Sequence, residues 1–198
     1  MDNYERSRDR AQAYFLGFDQ ERLIRKWHLQ ADDYNLLVRF LGRSYKICRK
    51  NGAVTRLWDG ETASYSEALS IFDLLCHEKI GVLSGEFAPV NSLNGCAKGA
   101  AVGTDFYGRT AARFDKDPEK FRSACIALGG NPIDMGDIGF RFSVFADLPV
   151  ILKFYHADED FPASITLLWD ANMLQFVLYE TVFYIAGCLL EAILENMK

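Results

Sequence analysis

The sequence predicts an α+β fold, a mainly antiparallel sheet with helices packed on one face, in a single domain. Three observations predict it. Tracts with the two-residue alternation of strands cluster at residues 34–58 and 138–170. Tracts with the 3.6-residue period of helices lie between and outside those clusters. The 198 residues suffice for one domain of ordinary size with one core.

Residues 2–30 read as helical in two pieces, with Asp19 as the N-cap of the second, whose Leu23, Ile24 and Trp27 share a face. Tyr34, Leu36, Val38 and Phe40 then alternate with Asn35, Leu37 and Arg39 as a largely buried strand. Gly42-Arg43 breaks it, Tyr45 and Ile47 resume it, and Asn51-Gly52 is a two-residue turn signal leading into Val54–Trp58. Ser64 and Glu67 have the spacing of a capping box, and the helix they open carries Ala68, Ile71, Phe72 and Leu75 on one face. A further helix starts at Asp117-Pro118, buries Phe121, Ala124, Cys125 and Leu128, and ends at Gly129-Gly130. Three strands follow over 138–145, 149–156 and 163–170, and a helix with Tyr179, Val182, Phe183, Ala186, Leu189, Leu190 and Ile193 on its apolar stripe closes the chain.

Composition narrows the function classes. The chain has 22 basic and 27 acidic side chains, a net charge of -5, so it lacks the cationic surplus with which a nucleic-acid-binding protein displaces phosphate counterions. Arg6, Arg8 and Arg10 form the best basic stripe, but Asp2, Glu5 and Asp9 interleave with them as on a solvated helix face. The longest apolar run, Val182–Leu190, is half a bilayer span, and the charged start shows no signal peptide. Five cysteines, an odd number, fit free thiols in a reducing compartment. These features place the protein in the cytoplasm, with neither nucleic acid nor membrane as a partner.

Several tracts carry a family likeness. Phe40-Leu41-Gly42-Arg43-Ser44-Tyr45, Ser84-Gly85-Glu86-Phe87, Leu128-Gly129-Gly130 with Gly136-Asp137, and Asp158-Glu159-Asp160-Phe161-Pro162 followed by Trp169-Asp170 occur in this order. Together they resemble the DUF3786 family, a bacterial and archaeal domain of unknown function, from about Tyr34 to Leu190. The chain departs from the family pattern at Ser44, where an acidic residue is expected, and at Phe87, where Trp is expected. The resemblance implies an anaerobe, and a setting in one-carbon or iron–sulfur metabolism, since some members are fused to a four-cysteine iron–sulfur module. That module is absent from this chain. The likeness divides the domain, residues 1–198, into an N-terminal helical segment, 1–30, and a family-like core, 34–198.

The chemistry-bearing residues are few. Cys48, Cys76, Cys96, Cys125 and Cys188 include no close pair of the kind that presents two thiolates to zinc or an iron–sulfur cluster, so they read as small core residues. Gly95, Gly99 and Gly103 match neither the phosphate-loop nor the dinucleotide spacing, so no nucleotide or flavin motif is present. That stretch reads as close packing, or as a lid carrying Lys98.

The carboxylates give the best lead. If the last three strands form a meander, Asp134 and Asp137 share an end of the sheet with the loop Asp158-Glu159-Asp160, while Asp147 and Asp170 lie about 25 Å away. Clustered carboxylates recruit a cation, so Asp137, Asp158, Glu159 and Asp160 are the candidate ligands for a divalent ion such as Mg²⁺ or Ca²⁺. His156 is either that site's imidazole or a histidine at the core edge. Arg43 and Glu86, singled out by the likeness, are expected to pair with each other; the other role of Arg43 is to grip a carboxylate or phosphate. The candidate ligand-binding set is therefore Arg43, Glu86, Asp137, His156, Glu159 and Asp160. The leading expectation is an accessory or binding protein that recognises a small molecule, a cation or a partner protein. The alternative is a hydrolase-like enzyme that depends on carboxylates and a divalent cation.

Overall fold

The computed structural model describes residues 3–77, 81–96 and 104–198. Two helices, α1 (Asn3–Leu16) and α2 (Gln20–Trp27), open the chain, and Asp19 caps α2 by accepting from the backbone N–H of Arg22. A four-stranded antiparallel sheet follows: β1 (Gln30–Ala31), β2 (Asn35–Phe40), β3 (Arg43–Cys48) and β4 (Val54–Arg56). The capping box forms as its spacing predicts: Ser64 Oγ accepts from Glu67 N at 3.3 Å and Glu67 Oε2 from Ser64 N at 2.7 Å, opening α3 (Tyr65–Cys76).

Next come β5 (Phe87–Ala88), α4 (Thr104–Lys116), α5 (Pro118–Ala127), β6 (Asn131–Ile133), β7 (Ile138–Phe145), β8 (Leu148–Tyr155), β9 (Ser164–Asp170) and α6 (Tyr179–Asn196). The second sheet is also antiparallel throughout, in the order β5-β9-β8-β7-β6. The fold is therefore α+β with antiparallel sheets, and the expected meander is β7-β8-β9. The sequence predicts one sheet; there are two, because β2 pairs only with β1 and β3 and meets the second sheet through its hairpin tip. Among the described residues, no helix is long and apolar enough to cross a membrane.

The hydrophobic effect assembles the layers. Leu36, Val38 and Phe40 of β2 and Tyr45 and Ile47 of β3 are all buried on the inner face of the first sheet. Phe114 of α4 stacks on Phe121 of α5 at 4.2 Å, and Phe121 meets Phe154 of β8 at 5.4 Å, which pins that helix pair on the second sheet. One expectation needs correction. The Asn51-Gly52 signal closes a four-residue loop rather than a two-residue turn, since Cys48 N donates to Ala53 O and Gly52 N to Cys48 O. Of the glycine stretch, Lys98, Gly99 and Gly103 lie outside the described residues.

Candidate functional site

The two sheets meet at a seam. Leu41 and Gly42 form the tip of the β2–β3 hairpin, closed by the Phe40–Arg43 pair, and both have left-handed backbone, φ 49° and 76°. That is the requirement of a type I′ turn, whose twist matches the flanking strands. A β-bulge between Ser143 and Phe145 leaves the Val144 carbonyl outside its own ladder, and Leu41 N donates to it at 2.9 Å. The tip also abuts the end of α5: a Cβ built on Gly42 would lie 2.0 Å from Leu128 O. Two of the tracts that carry the family likeness, Phe40–Tyr45 and Leu128–Gly130, are thus in contact.

Around this seam lie three hollows of about 260, 430 and 300 Å³. Ala146, in the β7–β8 turn, lines all three. Trp27 and Phe145 line the first two, and Arg39 the last two, so the hollows form one groove bent around the turn. Trp27 is held in place by its indole N–H, which donates to Leu75 O at 3.0 Å, and by an edge-to-face contact with Phe145 at 4.9 Å. Among the described residues the non-glycine positions with positive φ are His28, Leu41 and Ala146, at 50°, 49° and 46°, and every one of them lines this groove. Such conformations cost about 1–3 kcal/mol each and persist only where the surroundings impose them.

The residues expected from sequence lie elsewhere. Arg43 is engaged by α6, not by Glu86: Nη1 meets Glu195 Oε2 at 2.6 Å, Nη2 donates to Ala192 O at 3.2 Å, and the guanidinium lies 4.7 Å from the Trp58 ring centroid. The reason is strand phase. Arg43 shares the inner face of β3 with buried Tyr45, so both turn toward the helices. Tyr45 OH donates to Glu67 Oε1 at 2.7 Å, which satisfies that buried carboxylate, and burial together with Glu67 pushes the phenol well above its ordinary pKa. Glu191, one turn before Glu195, is raised by burial and by the neighbouring carboxylates of Glu195 and Glu67.

Glu86 is exposed on the rim of the second sheet, in a turn held by Asp170, a carboxylate that the sequence places far from the acidic cluster. Fully buried Asp170 accepts from Ser84 N at 3.0 Å, Ser84 Oγ at 3.0 Å, Gly85 N at 2.8 Å and Asn172 N at 2.9 Å. Burial alone would raise its pKa, but these donors outweigh it and hold the carboxyl below the ordinary value. The Ser84–Phe87 and Trp169-Asp170 tracts of the family likeness therefore bind each other.

At the far end of the meander Asp137 and His156 do come together, Asp137 Oδ2 accepting from His156 N at 2.8 Å. The imidazole Nδ1 meets Asp115 Oδ1 of α4 at 2.6 Å, a partner that no sequence signal identifies. Asp158 Oδ1 is occupied within its own turn by Asp160 N and Phe161 N, at 2.9 and 2.7 Å, while Glu159 and Asp160 are exposed. Among the described residues, no group of three or more His, Cys, Asp or Glu side chains is arranged to hold a metal ion. The cysteines form no disulfide among the described residues; burial pushes the Cys76 thiol up to about 12 and raises Cys125 and Cys188 as well, which keeps these three thiols protonated.

Comparison with known proteins gives a family and no activity. The model of a family described as a domain of unknown function, DUF3786, matches residues 19–192. No curated protein and no solved structure matches the chain.

Proposed function

The chain belongs to the DUF3786 family, and from that premise we propose that it is an accessory binding protein of the cytoplasm, in the anaerobic one-carbon or iron–sulfur setting that the family resemblance implies, whose groove at the sheet seam takes a small molecule. One observation carries the proposal: the three non-glycine residues with left-handed backbone all line the same groove. Strain of that kind concentrates at ligand clamps. The 430 Å³ hollow falls within the usual size of small-molecule sites, and its walls mix aromatic and aliphatic side chains with a few polar groups.

A thermal-shift screen of small metabolites tests it. A ligand at a hundred times its Kd stabilises the folded state by about 2.7 kcal/mol. For a domain of this size that raises the melting temperature by about 5–10 °C. Ser44 is exposed on β3 and lines the 430 Å³ hollow, so Ser44→Trp should fill the groove and abolish the shift. Hits that persist unchanged in Ser44→Trp bind somewhere else and remove the proposal.

A second reading, the carboxylate- and cation-dependent enzyme, has one observation in its favour. The Asp115–His156 contact fixes one ring nitrogen and leaves the other for proton transfer, the arrangement of a general base. Titration with Mg²⁺ or Mn²⁺ separates the readings. The groove reading expects a flat melting temperature. A rise that Asp137→Asn with Glu159→Gln abolishes would establish the cation site.

A further inference from the structure

We infer that the ligand of the groove is a small organic anion whose carboxylate or phosphate is gripped by Arg39; the inference rests on the groove being a binding site. Arg39 lies on the outer face of β2, exposed, and lines both the 430 and the 300 Å³ hollows. Its register partner across the hairpin is Ser44, which lines the larger hollow beside it. Neither hollow has an Asp or Glu in its lining, although the chain carries 27 acidic side chains against 22 basic ones.

Arg39 also differs from its neighbours in having nothing to hold. In the same sheet and its β3–β4 loop, Arg43 pairs with Glu195, Arg49 with Glu21 and Arg56 with Asp59, whereas Arg39 makes no ion pair or side-chain hydrogen bond among the described residues. A guanidinium left unpaired beside a polar serine, at the mouth of a groove, presents the planar fork that matches carboxylate and phosphate oxygens two at a time. Trp27, Leu37, Leu57 and Phe145 flank it and suit an aromatic or aliphatic body. Asp147 lines the 260 Å³ hollow beyond Ala146, so that arm repels a second anionic group and the charge belongs at the Arg39 end.

Calorimetric titration of the full chain with phenyl phosphate, benzoate and neutral benzyl alcohol tests the inference. Both anions should bind at least tenfold more tightly than the alcohol, and whichever anion is tighter identifies the headgroup. Arg39→Gln should weaken both anions tenfold or more without moving the melting temperature, because Arg39 has no partner to lose. Arg39→Lys should recover only part of the affinity, an ammonium being unable to replace the two-pronged contact. Anion affinity unchanged within twofold in Arg39→Gln, or benzyl alcohol binding as tightly as benzoate, overturns the anion inference. If those neutral contacts are blocked by Ser44→Trp, the groove itself stands. Failure of every probe here and of the metabolite screen overturns the groove together with the inference.

Discussion

Gly42→Ala should destabilise the protein by about 3 kcal/mol or more, because two independent penalties coincide. Residue 42 sits at φ 76°, and an added Cβ would meet Leu128 O at 2.0 Å and Leu128 C at 2.8 Å. Those are backbone atoms at the end of α5, so relief requires the hairpin tip to leave the helix. The loss corresponds to a fall of about 6–12 °C in melting temperature for a domain of this size. Gly60 is an internal control. It has nearly the same φ, 78°, yet a Cβ added there would meet nothing within 4 Å, so Gly60→Ala should cost only the conformational part, about 1 kcal/mol. Urea unfolding of both variants separates strain from collision. Equal losses would mean that the tip does not bear on α5 as described.

Asp170→Ala is expected to cost about 3 kcal/mol, since it strips a fully buried, ionised acceptor from the four donors it holds. Ser84 N, Gly85 N and Asn172 N would all lose their partner, and the strap from residue 82 to 88 would detach from β9. Asp170→Asn should lose less, as its amide oxygen still accepts. The pH dependence follows from the depressed pKa. The carboxylate stabilises the fold fully above the unfolded Asp value, near 3.9, and the contribution disappears as pH falls through the lower folded value. Wild type should therefore lose stability in acid more steeply than Asp170→Asn. Superimposable acid profiles would remove Asp170 from this role.

The main elements of the fold are legible in the sequence because periodicity and caps report on local geometry. Asp19, Ser64 with Glu67, and Asp117-Pro118 all mark helix starts that the structure contains. The meander is present because Phe140, Phe142, Val150, Leu152 and Phe154 alternate into one core. Helix α4 is not legible, although Tyr107, Thr110, Ala111 and Phe114 carry the helical period, because Gly108 and six charged or hydroxyl-bearing neighbours of the 104–116 stretch dilute it. With α4 unread, Asp115 has no place beside His156. Strands of two or three residues, such as β1 and β5, have no period to detect and exist only through their partners.

The site is less legible for a different reason. Arg43 and Glu86 draw attention through the family likeness, and Asp170 only as a carboxylate far from the acidic cluster, yet Arg43 and Asp170 are tied into internal contacts. What marks the groove is backbone: a left-handed Leu41, a left-handed Ala146 and a carbonyl released by a bulge. No residue-type pattern encodes those. Gly42 and Gly129-Gly130 are the visible trace, legible as a strand break and a helix stop but not as parts of a site.

The decisive measurement is a chemical-shift map of the isotope-labelled protein titrated with phenyl phosphate. The groove account predicts that the Trp27 indole and the backbone amides of His28, Leu41 and Ala146 move together with one Kd. Perturbations centred on Asp115, Asp137 and His156, at the other end of the meander, would contradict it.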